Sequence, residues 1–142
     1  MNYAGFWKRF GAVLIDTIII IPISFIIGFV IGFAFVVAGM APESLAEPSI
    51  QFVFNIIGVI IAWIYYALME CSRMQGTIGK MALGIKVTDL EGNQISFAKA
   101  TGRHFGKIIS SVILGVGYIM VAFTERKQGL HDMMAGCLVV NK

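Results

Sequence analysis

An aspartate lies inside a long apolar stretch near the start of the chain. Asp16 is the one charged residue between positions 11 and 40. A carboxylate about one turn inside hydrocarbon costs about 2.5 to 3.5 kcal/mol, so it needs a hydrogen-bonding partner, water or a proton. The pattern makes Asp16 a candidate for a proton or polar pathway, or for an essential contact between helices. A purely structural role, as a cap or an ion-pair partner, is the alternative.

Other polar residues can reach the same end of this stretch. Arg9 precedes Asp16 on nearly the same helical face, but about 10 Å away along the axis, which is too far for direct contact. Groups from other segments are therefore expected to converge on Asp16. Near the end of the chain, Asp132 is a candidate partner for Arg9. His131 is a candidate for passing protons near neutral pH, although a lone interfacial histidine is more often a bystander.

The composition predicts that the elements holding these residues lie in lipid. The chain has 142 residues, of which 58% are hydrophobic and 13% are charged, about half of the roughly 25% charged residues usual for soluble domains. Too little polar surface remains to cover a water-soluble globule of one domain. The net charge of +3 is spread along the chain, which argues against nucleic-acid binding and for a lipid bilayer as the partner.

The apolar blocks predict an all-α membrane protein, a small helical bundle that forms one domain over residues 1–142. Its expected parts are span one at about 11–37, span two at about 50–69, a loop at 70–107, a third apolar segment at 108–123 and a polar tail at 124–142. The loop is rich in lysine and arginine, which favours the cytoplasmic side of a membrane. We therefore expect a multi-pass protein of the cell inner (cytoplasmic) membrane, with a cytoplasmic N-terminus.

Two further features are predicted within the loop. Residues 84–88 and 94–97 alternate apolar and polar positions around a turn, which favours a small cytoplasmic β-hairpin. A helix then starts near position 97 and carries Lys99, Arg103 and Lys107 at intervals of four, so these three are candidates for binding lipid headgroups. No internal repeat is apparent in the sequence.

The third apolar segment leaves two topologies open. Residues 108–123 are short for a full crossing and are interrupted by glycines at 115–117, where helix propensity is poor. A crossing would put the basic residues of 124–142 outside, against the positive-inside bias, whereas a re-entrant segment keeps them inside. The re-entrant form is favoured because residues 137–140 resemble a strand able to pair with 85–87, which requires one side of the membrane.

Enzymatic motifs are not apparent. The glycine-containing stretch 76–80 lacks the spacing of a phosphate-binding loop and is predicted to be a turn that leads into the hairpin. Cys71 and Cys137 are the two cysteines, and neither has the spacing of metal ligands. We expect no enzyme, no cofactor and no metal site.

The order of these motifs resembles the RDD family of small bacterial and archaeal membrane proteins. The resemblance rests on residues 6–10 with Arg9, on Asp16, on residues 76–87 and on residues 123–136. The family is named for an arginine and two aspartates, and Arg9, Asp16 and Asp132 match them. Membership implies membrane transport, including cation/proton exchange in some members.

Two functions are compatible with these expectations. In the first, Asp16 binds a monovalent cation or a proton, and Arg9 with Asp132 holds the cytoplasmic mouth of a transport pathway. A chain with at most three crossings cannot readily enclose such a pathway alone, so a homo-oligomer is expected. In the second, the protein is a non-transporting scaffold or accessory subunit that binds lipid or a protein partner.

Overall fold

The computed structural model describes residues 1–112 and 116–142. The helices are α1 (Phe6–Val37), α2 (Pro48–Cys71), α3 (Ile78–Ala82), α4 (Phe97–Val112), α5 (Val116–Phe123) and α6 (Leu130–Met134), with a 3-10 turn at Pro42–Ala46. Two strands, β1 (Ile85–Asp89) and β2 (Cys137–Asn141), form one antiparallel sheet. The predicted fold class, a small helical membrane protein with a small sheet, is confirmed.

Two described helices, α1 and α2, are long and apolar enough to cross a membrane, and α4 with α5 could count as a bent third span. Their large apolar side chains point away from the protein, as with Phe25 at 77% exposure. Such surface is stable against acyl chains and not against water. Both helices extend beyond the predicted spans at 11–37 and 50–69.

The chain divides into two compact units. One unit is Thr17–Ala62 and contains most of α1, the 3-10 turn and the first part of α2. Within it, the rings of Phe35 and Phe54 meet edge to face, 6.1 Å apart. The other unit combines Met1–Asp16 with Trp63–Lys142. It contains the sheet, the shorter helices and every residue of the candidate site.

The sheet joins two distant parts of the chain. Val87 of β1 lies opposite Val139 of β2, which confirms the predicted pairing of residues 137–140 with 85–87. The N-terminus extends the sheet on the other edge of β2, where the Ala4 N–H donates to the Val139 carbonyl at 2.9 Å. Buried apolar side chains of both strands form the centre of this unit's core. The sheet therefore fixes the start, the middle and the end of the chain together.

The second strand of the predicted hairpin is wrong. Residues 94–97 are not a strand, and β1 pairs with β2 instead. The free edge of β1 is occupied by Gln75, whose carbonyl accepts the Val87 N–H at 2.6 Å. After its turn the chain enters α4 directly, because the Ser96 carbonyl already accepts the Ala100 N–H at 3.0 Å.

The stretch 76–80, predicted to be a turn, contains the start of α3. This short helix lies directly against α1. A Cβ atom on Gly79 would be 2.1 Å from the Ala12 carbonyl oxygen and 2.9 Å from the Asp16 carboxylate carbon. No side chain fits such a gap, so glycine at this position permits the approach of the two helices.

Helices α4 and α5 are bent relative to each other by 97°. The predicted break at 115–117 lies partly outside the described residues. On either side of it the helices touch, because the Tyr118 hydroxyl donates to the Lys107 carbonyl at 2.9 Å. A Cβ atom on Gly117 would lie 2.5 Å from the Ser110 hydroxyl oxygen. Helix α5 therefore packs tightly on α4.

Candidate functional site: a buried ion network

Asp16 is buried at the contact between α1 and α3, with 2% of its surface exposed. One carboxylate oxygen accepts the Thr77 hydroxyl at 2.6 Å, and the other accepts the Gly79 N–H at 2.7 Å. The expected convergence of another segment on Asp16 is therefore present. Both contacts satisfy donors at the start of α3, so the carboxylate acts as a cap supplied by a different helix.

Arg9 ties the first helix to the end of the chain. Its guanidinium pairs with the Asp132 carboxylate and also donates to the Lys127 carbonyl. The remaining Nε–H donates to the Ala4 carbonyl at 3.0 Å. The pairing of Arg9 with Asp132, which the sequence suggested, is thus a direct contact between α1 and α6.

Arg103 occupies the centre of the site. Its Nε lies 2.6 Å from an Asp132 oxygen, and its Nη1 lies 2.7 Å from a Glu70 oxygen. The side chain is 2% exposed, so the expectation that it faces lipid headgroups is wrong. Residues eight positions apart on an α-helix differ by about 80° in direction around its axis. Lys99, Arg103 and Lys107 therefore do not share one exposed face: Lys99 is exposed, Arg103 is buried and Lys107 is half-buried.

Glu70, which was not among the predicted site residues, is the second buried carboxylate at this centre. It pairs with Lys80, with Arg103 at 2.7 Å and with Lys107 at 3.5 Å. Its sequence signal was weak, because it closes the apolar second span and was assigned to the following loop. We call Arg9, Glu70, Lys80, Arg103, Lys107 and Asp132 the ion network.

Lys80 is the residue of the ion network that most easily loses its charge near neutral pH. Burial lowers its pKa to about 7, the attraction of Glu70 offsets only part of that effect, and Arg103 and Lys107 lower the pKa further. Lys80 is 7% exposed. Its ammonium group can therefore gain or lose a proton near neutral pH.

His131 and Asp132, which are neighbours in α6, both have lowered pKa values, but for different reasons. Burial lowers the pKa of His131 to about 3, despite the neighbouring Asp132 carboxylate. The imidazole is neutral at neutral pH, so the expected titration of His131 there is wrong. Burial by itself raises the pKa of Asp132, but Arg103 and Arg9 outweigh it and hold that pKa well below its usual range.

The ion network combines four cationic side chains with two carboxylates. Lys107 also lies over the Tyr66 ring, 4.9 Å from its centroid. Within residues 1–112 and 116–142, no group of three or more histidine, cysteine or acidic side chains is arranged to hold a metal ion. This arrangement can stabilise buried ionised side chains, and Lys80 within it can bind and release a proton.

Comparison with known proteins finds one matching family model and several similar chains. The RDD family model matches residues 3–136. Three proteins of Bacillus subtilis (strain 168) are similar along almost the whole chain. The uncharacterized protein YxaI is 40% identical over 98% of this chain and 97% of its own length. The uncharacterized membrane protein YteJ is 32% identical, over 99% and 82% respectively. The uncharacterized protein YckC is 28% identical, over 96% and 83%.

No solved structure matches the chain. The family match covers Arg9, Asp16 and Asp132, the residues that the structure uses to join α1 to α3 and α6. Two described helices have the length and apolarity to cross a membrane. The chain is therefore a membrane protein that belongs to the RDD family.

Proposed function

We propose that the protein exchanges a small monovalent cation for protons across the membrane, as an assembly of identical chains. The observation that carries this proposal is the buried Glu70–Lys80 pair at the end of the spanning helix α2. Ionisable residues within membrane-spanning segments commonly mark ion and proton pathways, and Glu70 lies in the last turn of α2. One copy has too few spanning helices to surround a path, so several copies are required.

The surroundings of the pair suit reversible protonation. When Lys80 loses its proton, Glu70 keeps the Arg103 and Lys107 contacts. Glu70 therefore always has a cationic partner, whereas a buried carboxylate without one would destabilise the folded protein. The proton leaves from the Lys80 ammonium and returns to it, while the rest of the ion network holds its position.

Asp16 has a positioning role in this proposal. Both of its carboxylate oxygens accept hydrogen bonds from α3, the helix that carries Lys80. Arg9 and Asp132 hold α6 against α1 in the same way. The proton-carrying role considered for Asp16 therefore passes to Lys80, with Glu70 as its partner.

We also propose that the ion network faces the cytoplasm, in the inner (cytoplasmic) membrane. The N-terminal basic residues and the basic loop after α2 belong to the same compact unit as the network. The positive-inside bias favours the cytoplasmic side for such loops.

Flux measurements in liposomes test the exchange directly. Purified protein in vesicles with an imposed pH gradient should move sodium or potassium ions, and the rate should depend on pH around neutrality. Lys80→Met cannot bind the proton and Lys80→Arg cannot release it, so we expect both variants to lose the gradient-driven flux. Lys99→Met, at an exposed lysine, is the matched control and should keep it.

Two results would contradict the exchange mechanism. The first is flux through Lys80→Met and Lys80→Arg equal to that of the native protein. The second is the absence of gradient-driven sodium or potassium movement in vesicles that contain folded native protein. Circular dichroism and size-exclusion profiles of each variant separate a lost function from a lost fold.

A scaffold or accessory subunit is the second candidate function. It is favoured by the fact that Arg9, Asp16 and Asp132 all contact a segment distant in sequence. In this case the polar residues hold together the unit that contains the sheet, and the exposed surface of that unit would bind lipid or a protein partner. Conduction is then unnecessary.

Asp16→Asn separates the two candidates. The amide oxygen can still accept the Gly79 N–H, and the NH₂ group then faces the Thr77 hydroxyl, which must rotate to accept. Loss of two hydrogen bonds to a charged carboxylate should cost about 1 to 3 kcal/mol. If the scaffold function is right, the folded assembly in mild detergent is lost while any flux per folded protein stays unchanged. Lost flux in a variant that is still folded and assembled would favour transport. Glu43→Gln, at an exposed position, is the control.

A further inference from the structure

Two segments of the chain share one backbone pattern. Each consists of a five-residue helix, a glycine in the left-handed region and a five-residue strand. Gly84 stands between α3 and β1 with φ 62°, and Gly136 stands between α6 and β2 with φ 59°. The correspondence runs residue by residue at one constant spacing along the chain.

The same pattern continues upstream into the turns. Gln75 and Lys127 are corresponding positions, with φ of 55° and 50°, and among the described residues they are the two non-glycines with positive φ. The Gln75 N–H donates to the Ser72 carbonyl at 3.0 Å, and the Lys127 N–H donates to the Thr124 carbonyl at 3.0 Å. These turns follow the ends of α2 and α5.

The strand register obeys the same correspondence. Val87 and Val139 correspond and lie opposite each other, and the pair Ile85–Asn141 exchanges with the pair Asp89–Cys137. The two segments are therefore related by a local twofold axis through the centre of the sheet. Few residue types are shared, which explains why no repeat is visible in the sequence.

In this repeat, helix α5 takes the position that the end of α2 has in the first half. Helix α5 corresponds to the last two turns of α2, and each of the two helices ends at the turn that leads into one half of the repeat. Helix α2 has 24 residues, whereas the eight residues of α5 span about 12 Å. The hydrocarbon core is about 30 Å thick, so α5 alone cannot arrive from the opposite side.

Helix α4 also begins beside the sheet. Ile95, just before it, and Ala100, in its first turns, belong to the same buried core as the strands. The Trp63 indole N–H donates to the Thr101 hydroxyl at 3.2 Å, which ties the helix to α2. The α4–α5 segment therefore starts and ends on one side.

The surface of this segment is apolar where it leaves the core. Large exposed side chains on both helices are Phe105, Ile108, Ile109, Val112, Ile119 and Phe123. Val112 is 77% exposed and lies at the last described position of α4. Large apolar side chains exposed along both helices favour hydrocarbon over water.

We propose that α4–α5 is a re-entrant element, which enters one leaflet from the side of the sheet and returns to it with its apolar face covered by acyl chains. This topology does not depend on cation exchange. It requires the two ends of the segment to share a side, as the β1–β2 pairing and the Arg9–Asp132 contact already do.

Single-cysteine labelling tests the topology. In a Cys71→Ser, Cys137→Ala background, the exposed positions Glu43, Glu91 and Glu125 are changed one at a time to cysteine and treated with a membrane-impermeant maleimide. The cysteines at 91 and 125 should label from the same side, opposite to the one at 43. Labelling of the cysteine at 125 from the side of the one at 43 would overturn the re-entrant path.

A nitroxide attached to Val112→Cys tests the lipid coverage. Electron paramagnetic resonance in proteoliposomes should show high accessibility to oxygen and low accessibility to a water-soluble nickel complex, and the probe at Glu125→Cys should show the reverse. High nickel accessibility at position 112 would place this face in water. Low accessibility to both reagents would mean that protein, such as a second copy of the chain, covers it. Either result would overturn the acyl-chain contact.

Discussion

At the scale of single residues, burial acts on Lys80 and His131 in the same direction but with different consequences. Each loses affinity for its proton because the charged form is deprived of water. Lys80 starts from a high pKa and arrives near 7, whereas His131 starts near neutrality and falls to about 3. Of these two residues, the lysine and not the histidine has a pKa close to physiological pH.

The lowered pKa of Lys80 predicts a pH dependence of stability. Between about pH 7 and about pH 10.4 the unfolded chain binds a proton at this lysine that the folded protein does not bind. The free energy of unfolding should therefore rise with pH across this window in the native protein, relative to Lys80→Met. Denaturation in detergent at several pH values measures the difference, and Lys99→Met should keep the native slope. Parallel curves for the native protein and Lys80→Met would contradict the lowered pKa.

At the scale of elements, the short helices determine where the charges of the ion network lie. Helix α3 brings Lys80 to Glu70 because Gly79 permits contact with α1. Helix α6 brings Asp132 to Arg103 and Arg9. Neither helix has enough residues to be stable alone, so both depend on these contacts.

Gly79→Ala should disrupt the contact of α3 with α1. The added methyl group overlaps the Ala12 carbonyl oxygen, a backbone atom that cannot rotate away. We expect a loss of about 1 to 3 kcal/mol in the free energy of unfolding, typical of overpacking. Gly102→Ala is the matched control, since nothing lies within 4 Å of its Cβ, and it should stabilise α4 by about 0.5 to 1 kcal/mol. Equal effects of the two substitutions would be inconsistent with the close approach.

At the scale of the whole molecule, the ion network joins parts of the chain that are far apart in sequence. Asp132 contacts Arg9 of α1 and Arg103 of α4, and Arg103 continues to Glu70 of α2. In the same compact unit, the two strands pair with each other and the N-terminus hydrogen-bonds to β2. Loss of one central carboxylate should therefore loosen several elements together.

Asp132→Asn should cost about 3 to 5 kcal/mol, because it leaves two buried guanidinium groups without their shared carboxylate. The lowered pKa of Asp132 means that its contribution is present above about pH 4 and is lost as the pH falls through the folded-state value. The native protein should thus lose stability in acid more steeply than the variant. Denaturation at pH 7 and in acid, with exposed Glu125→Gln as the control, measures both effects. A small cost at pH 7 would show that the network does not depend on this carboxylate.

The sequence by itself determined the apolar helices, the membrane environment, the family and the pairing of β1 with β2. Long apolar blocks predict a lipid environment. The alternation of residues 84–88 and the strand-like apolar run 137–140 predicted the two strands that pair. Asp16 and Arg9 were found because a charge beside or within an apolar run is conspicuous. These signals are local, so a linear reading detects them.

Only the tertiary structure decided which charges are buried together. Glu70 lies at the end of an apolar helix, Lys80 in a short helix between loops and Arg103 in an amphipathic helix. In such positions a linear pattern cannot distinguish a solvated charge from a paired one. Their pairing depends on the convergence of α2, α3, α4 and α6 on one point. The local twofold repeat was hidden for a related reason, since backbone conformation and hydrogen bonding preserve it while most side chains differ.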